Sequence, residues 1–376
     1  MNISPALSSF LDLSRWVSAF IVVISHLRNL LFIDYEFVRN KNILIQGFYF
    51  ITGFGHSAVI IFFVLSGFLV GGSVLRRFKL KKFSLTKYSI DRFSRIYIVF
   101  PLTLLTGFGL DWLGYSYFNS TGIYSNHFHF ATAGFDIYER LNLGIFVSNL
   151  CMLQTIVTPT FGSNGPLWSL ANEWWYYFYF PLIILSFTHK VLIKRIICLL
   201  ASLCLSIMMY NSNEHGNMLF LFSIWLVGTL FWLKPLRISV NFWFSSLLMI
   251  LYASFIRISE INSLSVFREL ILAVLFCLMI SSVNESCKFF VKMAKINSLM
   301  ASFSYSLYLV HLPLAIFVVA VLSRLQIMAV QMQPVPITFV MFFLILIVIY
   351  IYSFCFATFT ENHTPRLKKA LYNHLT

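Results

Sequence analysis

The stretch FLDLSRWVSAFIVVISHLRNLLF, Phe10 to Phe32, is long and apolar enough to cross a bilayer, yet Arg15 and His26 lie inside it. A charge at the centre of a transmembrane helix costs about 3 kcal/mol on insertion scales, so such residues face a partner, a cavity or a substrate. At about 100° per residue, the step from Arg15 to His26 comes within roughly 20° of three full turns, which puts both on one helix face about 16.5 Å apart. Ser18 and Val22 fall on the same stripe. A cation near one membrane surface and an imidazole deeper in can grip a long anionic molecule and do chemistry at its far end. The plainer alternative has Arg15 snorkelling to the surface and His26 hydrogen-bonded inside the bundle.

Composition generalises from that stretch. Of 376 residues 59% are hydrophobic and 11% charged, against about 25% charged in an ordinary soluble domain, so the chain reads as an all-α polytopic membrane protein. Ten helices of about 20 residues take about 200 positions, and loops and helix overhangs take the rest. Residues 1–376 therefore read as a single membrane domain, with a C-terminal tail from about 360 and no soluble domain. The net charge of +14 sits mostly in alternate loops, a positive-inside pattern that accounts for it without a nucleic-acid partner. The six cysteines lie in or beside apolar segments with no CxxC pair, which indicates neither a disulfide framework nor a thiolate metal site. No basic region precedes the first apolar run, so it reads as a retained span and not a signal peptide.

Hydropathy places spans near 10–32, 48–72, 93–112, 166–187, 194–211, 217–233, 240–257, 265–283, 299–322 and 337–359. The segment 141–157 is apolar but short and contains Asn142, Ser148, Asn149 and Gln154. If it does not cross, 19 of the 27 Lys and Arg fall on one side; if it does, the bias is lost. The expectation is ten spans, both termini cytoplasmic, and a re-entrant or interfacial element at 141–157. His26 then lies toward the external half. The longest external loop, about 113–141, carries Tyr115, Tyr117, Tyr124, His127, His129 and Asp136. It suits a lid or an acceptor surface, although a plain loop with interfacial tyrosines is the favoured reading.

Polar residues recur inside later spans. Gly67 and Gly71 form a G-x-x-x-G that lets a neighbouring helix approach closely, and His56 in the same span reads as an interior hydrogen-bonded residue. Arg92 and Arg95 share a helix face and can offer planar forks to phosphates, with Asp91 partly neutralising them. In FGSNGPLWSLANEWWYYFYFPL, Asn164 is a candidate helix cap and Glu173 reads as the one acidic residue well within a span, to be paired with His26 or an arginine. In SYSLYLVHLP, Ser304, Tyr308 and His311 share one face, with Pro313 close to His311. Two intramembrane histidines with a glutamate point to proton handling. A metal site from His26, His56 and His311 is disfavoured because no closely spaced ligand pair supports it.

These stretches together resemble the acyltransferase-3 family, bacterial integral membrane acyltransferases that commonly modify surface and exported polysaccharides. The resemblance rests on Arg15 and His26, FFVLSGFL at Phe62 to Leu69, DRFSRIY at Asp91 to Tyr97, GPLWSLANEWWYY at Gly165 to Tyr177 and SYSLYLVHLP at Ser304 to Pro313, in the family's order. The family's proline soon after R-I-Y is displaced to Pro101, and Ser14 and Trp16 replace smaller residues. The resemblance implies a multi-pass protein of the bacterial inner membrane, with Arg15 and His26 matching the essential pair and Arg92 and Arg95 the R-x-x-R that helps accept the acyl donor.

The implied reaction is O-acetyl transfer from cytoplasmic acetyl-CoA to a hydroxyl of a polysaccharide or its lipid-linked glycan precursor. Arg15, Arg92 and Arg95 would hold the acyl-CoA phosphates and neutral His26 would be the general base, or carry the acyl group covalently. Glu173 would orient His26, and Tyr308 and His311 would stabilise the oxyanion or protonate the thiolate. A small metabolite or lipid acceptor, or a transporter without chemistry, are the alternatives. Inspection finds no internal repeat of the kind inverted-repeat transporters show.

Overall fold

The computed structural model describes residues 3–125, 127–128, 130, 132–212, 217–233, 240–259, 265–284 and 287–375. The chain is all-α: α1 (Pro5–Leu31), α2 (Ile43–Ile51), α3 (Gly55–Ser66), a π-helical turn (Gly67–Gly71), α4 (Gly72–Lys79), α5 (Leu85–Tyr97), α6 (Phe100–Phe118), α7 (Leu143–Leu150) and α8 (Leu167–Thr188). There follow α9 (Leu192–Tyr210), α10 (Met218–Leu233), α11 (Phe242–Ile258), α12 (Ser265–Ser282), α13 (Lys288–Lys292), α14 (Ala294–Ala301), α15 (Ser304–Arg324), α16 (Pro336–Phe359) and α17 (Thr364–Leu375). Helix occupies each of the ten stretches expected from hydropathy. Among the described residues, six helical segments are long and apolar enough to cross a membrane: Pro5–Leu31, Ile43–Lys79, Leu85–Thr121, Leu192–Tyr210, Ser304–Arg324 and Pro336–Asn373. The protein is thus a multi-pass membrane protein with about six such candidate spans.

Three expected spans are interrupted: 48–72, 93–112 and, between α14 and α15, 299–322. Pro101 has no N–H to give and its ring crowds the carbonyl of residue 97, so the stretch 93–112 splits into α5 and α6 with the proline in the first turn of α6. The stretch 48–72 breaks at Thr52–Phe54, where the Arg257 guanidinium packs so closely on Gly53 that a Cβ there would lie 2.2 Å from its Nε.

α1 is central and packs on α3, α14, α15 and α16. Ser4 starts it by accepting from the Leu7 N–H at 3.2 Å, with Pro5 in the first turn. The expected close helix approach falls between α3, the π turn and α10. A Cβ at Gly67 would lie 1.9 Å from the Trp225 carbonyl oxygen, and one at Gly228 2.2 Å from that of Val64. Thr229 Oγ1 uses the proximity to donate to the Gly67 carbonyl at 2.9 Å.

The 141–157 segment is not a helix throughout. α7 has 8 residues, about 12 Å, too short to cross a bilayer alone. The chain then runs irregularly to Pro166, its polar groups met by protein. Asn142 caps α7, Asn149 Nδ2 donates to the Pro159 carbonyl at 3.0 Å, and Gln154 Nε2 donates to that of Leu167 at 3.1 Å.

Prolines inside α8 and α15 are accommodated in the same way. Pro181 leaves the Tyr177 carbonyl without its helical donor, and Tyr88 OH donates to it at 2.9 Å. Pro313 leaves the Leu309 carbonyl in the same condition, and Asn164 Nδ2 donates to it at 2.8 Å. Asn164 therefore does not cap α8, as the sequence suggested. Pro166 occupies the position before the helix, without a side-chain cap.

Candidate functional site

The side chain of His26 meets that of His311. His26 Nδ1 and His311 Nε2 are 2.8 Å apart, with the rings stacked at 17°. His311 is 1% exposed, and its Nδ1 lies 2.8 Å from the Tyr308 carbonyl and 3.2 Å from that of Leu307. A carbonyl only accepts, so His311 Nδ1 carries hydrogen, and in the neutral ring Nε2 holds the lone pair. His26 Nδ1 must then donate to it. The consequence is a defined tautomer: neutral His26 carries its basic lone pair on Nε2.

His26 lines a cavity of about 460 Å³, with Ser25 and Asn29 beside it on α1, His56 on α3, Trp168 on α8 and Tyr308 on α15. The α1–α3 wall is tight, since a Cβ at Gly55 would lie 2.7 Å from Ser25 Oγ. Thr132, Gly134, Phe135 and Arg140 close the cavity from the long loop, so that loop is more than a plain connection with interfacial tyrosines. Of the polar residues singled out there, Tyr115 stacks on Tyr138 with centroids 4.1 Å apart, Asp136 accepts from the Tyr138 N–H at 2.8 Å, and His129 lies outside the described residues.

The Tyr308 hydroxyl is 2.7 Å from Ser169 Oγ and 3.3 Å from the Pro166 carbonyl, which is also 3.2 Å from Ser169 Oγ. Two hydroxyl hydrogens share these acceptors in either direction of the chain. The Tyr308 hydrogen therefore has an acceptor within the protein in either case. His311 is likewise committed, to His26 and the backbone.

Glu173 departs further from expectation. It accepts a hydrogen bond from Tyr177 one turn on and does not contact His26. The place expected for it behind His26 is filled by His311, because α8 begins at Leu167, beside the cavity, and carries Glu173 nearly two turns below it. Two further acids stand on helices near the ends of expected spans. Asp111 is 1% exposed and accepts from the Ser163 N–H at 2.8 Å, and Glu269 pairs with His56 at 2.6 Å.

A second group sits toward the other end of α1. Arg15 pairs with Asp12 at 3.4 Å and lies within electrostatic reach of Arg95 and Glu361. Arg92 lies over the rings of Tyr88 and Tyr177, at 5.6 and 5.5 Å, while Arg95 is exposed. The Nε atoms of Arg15 and Arg92 are buried and make no hydrogen bond. Asp91 does not neutralise these arginines, as its carboxylate is taken by Arg77 at 2.8 Å, Lys368 at 2.7 Å and Tyr372 OH at 3.1 Å. Glu361 caps α15, accepting from the Ser306 N–H at 2.8 Å and its hydroxyl at 2.6 Å. Unspent arginine donors beside aromatic rings suit a phosphate-bearing ligand.

Fold and site together define a polytopic membrane protein with a paired-histidine cavity and a cluster of arginines toward the opposite end of the same central helix. The chain belongs to the acyltransferase-3 family, whose model, described as Acyltransferase domain, matches residues 8–354, and whose members act as membrane acyltransferases. No curated protein and no solved structure matches it.

Proposed function

We propose that this protein transfers an acetyl group from acetyl-CoA, bound from the cytoplasm, to a hydroxyl of a cell-surface or exported polysaccharide or of its lipid-linked precursor, in the bacterial inner membrane. The observation that carries the reading is the 2.8 Å pairing of His26 with a buried His311 that is itself tied to backbone carbonyls. Such a pair orients a neutral imidazole for general-base work, with a histidine in the place a carboxylate takes in hydrolase triads.

In this reading residues 1–376 form one domain of ten spans with both termini cytoplasmic, and 141–157 is re-entrant. Arg15, Arg92 and Arg95 take the CoA phosphates, and the thioester reaches His26 along the face of α1 that the two residues share. His26 Nε2 removes the proton of the acceptor hydroxyl, and Tyr308 with Ser169 fixes the cavity wall. The test compares surface polysaccharide from isogenic cells carrying the wild type, His26→Ala or no protein, by mass spectrometry and proton NMR. A base-labile O-acetyl signal present only with the wild type is expected. Its retention in an inserted His26→Ala protein would overturn the assignment.

A further inference from the structure

The cavity holds a second histidine with a different partner. His56 stands in the first turn of α3, its side chain 56% exposed, and its Nε2 lies 2.6 Å from a carboxylate oxygen of Glu269, which is 14% exposed, on α12. Both His56 and His26 line the same cavity. A carboxylate only accepts, so His56 Nε2 carries hydrogen and Nδ1 is the ring nitrogen left for a ligand.

The two dyads suit opposite tasks. His26 Nδ1 meets a buried imidazole, whereas His56 Nε2 meets a carboxylate, so that a His56 ring donating from both nitrogens is half of an ion pair. Acyl transfer needs both kinds of group. The base is His26, and the negative charge that develops on the thioester oxygen needs a donor; the Tyr308 hydroxyl and the His311 Nδ1–H already have acceptors within the protein, which favours His56 for that role.

We propose that His56, held by Glu269, is the donor that stabilises this oxyanion, an inference that rests on the acyl-transfer reading above. As the acceptor oxygen bonds to the thioester carbon, its proton passes to His26 Nε2 and the carbonyl pair moves onto oxygen, where the His56 Nδ1–H holds it. Collapse restores the carbonyl and breaks the C–S bond, and the thiolate leaves with the proton from His26. His56 keeps its proton throughout, and Glu269 is a positioning residue.

The test uses the full chain in membrane vesicles, with acetyl-CoA as donor, base-deacylated surface polysaccharide as acceptor, and released CoA thiol as the readout. His56→Gln is expected to lower kcat by about 100-fold with the KM for acetyl-CoA within about three-fold. Glu269→Gln should lower kcat about 10-fold alone and less than about two-fold in the His56→Gln background, because it acts through His56. Imidazole in the buffer should restore part of the activity of His56→Gly, which a structural loss would not allow. His56→Asn replaces the Gln variant if that one does not assemble. The proposal is overturned if assembled His56 variants keep kcat within about three-fold of wild type while His26→Ala is inactive, which leaves the acyl-transfer reading standing. It is also overturned if Glu269→Gln has its full effect without His56. Wild-type vesicles that release no thiol with this acceptor or any other hydroxyl compound would remove both.

Discussion

The side-chain amide of Asn164 donates to the backbone carbonyl of Leu309 at 2.8 Å, the carbonyl that Pro313 leaves without a helical partner. One hydrogen bond thereby joins the turn before α8 to the part of α15 that carries Tyr308 and His311. Asn164 is 3% exposed, so Asn164→Leu leaves that carbonyl buried and unpaired, at about 1–3 kcal/mol. Thermal unfolding in detergent should show a lower midpoint, and activity should fall with it. An unchanged midpoint would mean that this bond does not hold the site together.

The pairing of Tyr88 with the Tyr177 carbonyl has the same cause, Pro181, and permits a cleaner test. Tyr88→Phe should cost about 1–2 kcal/mol of stability. In a Pro181→Ala background, where the helix regains its own donor, the same substitution should cost less than about half as much. Equal losses in both backgrounds would show that the hydroxyl contributes in some other way.

At Gly67 the constraint is backbone against backbone. A methyl group there meets the Trp225 carbonyl at 1.9 Å, which no rotamer change relieves, so α3 and α10 must separate. Gly67→Ala should cost about 1–3 kcal/mol. Gly47→Ala is the matched control, because a Cβ at Gly47 meets nothing within 4 Å. A difference in thermal midpoint between the two variants measures the close approach itself.

Much of this was legible before the fold was known, because bilayer physics restricts where polar residues can stand. The ten helical stretches, the Arg15 and His26 face and the G-x-x-x-G approach follow from period and hydropathy. What was not legible depends on long-range pairing. Nothing local to Glu173 reveals that Tyr177 takes it, and nothing local to His26 selects a partner 285 residues away over that nearer glutamate. Glu269 stands in the second turn of α12, near the end of its apolar segment where acids are ordinary, and His56 without it reads as an isolated histidine. The proline-orphaned carbonyls were predictable as vacancies, but their donors, Asn164 and Tyr88, are set by tertiary contact.

Arg92 separates charge from shape. It lies over Tyr88 and Tyr177, and its Nε makes no hydrogen bond. A lysine keeps the charge but loses the planar fork and the stacked position. Arg92→Lys should raise the KM for acetyl-CoA about 10-fold with little change in kcat, as loss of uniform binding does. A fall in kcat at constant KM would move Arg92 from donor binding to the chemical step.

His311 is the sharpest test of the dyad because it is buried away from the cavity and can act only through His26. His311→Ala removes the acceptor for the His26 Nδ1–H, so the ring is free to change tautomer and orientation. A drop of about 100-fold or more in kcat is expected, with the KM for acetyl-CoA nearly unchanged. His311→Gln presents a carbonyl oxygen that can accept the same hydrogen, so it should recover a substantial part of the loss. A general packing defect predicts the reverse, since Gln introduces an amide into a 1% exposed site and should be tolerated no better than Ala. Comparing the two variants in one thiol-release assay therefore separates orientation of His26 from support of α15, and equal inactivity of both would count against the tautomer argument.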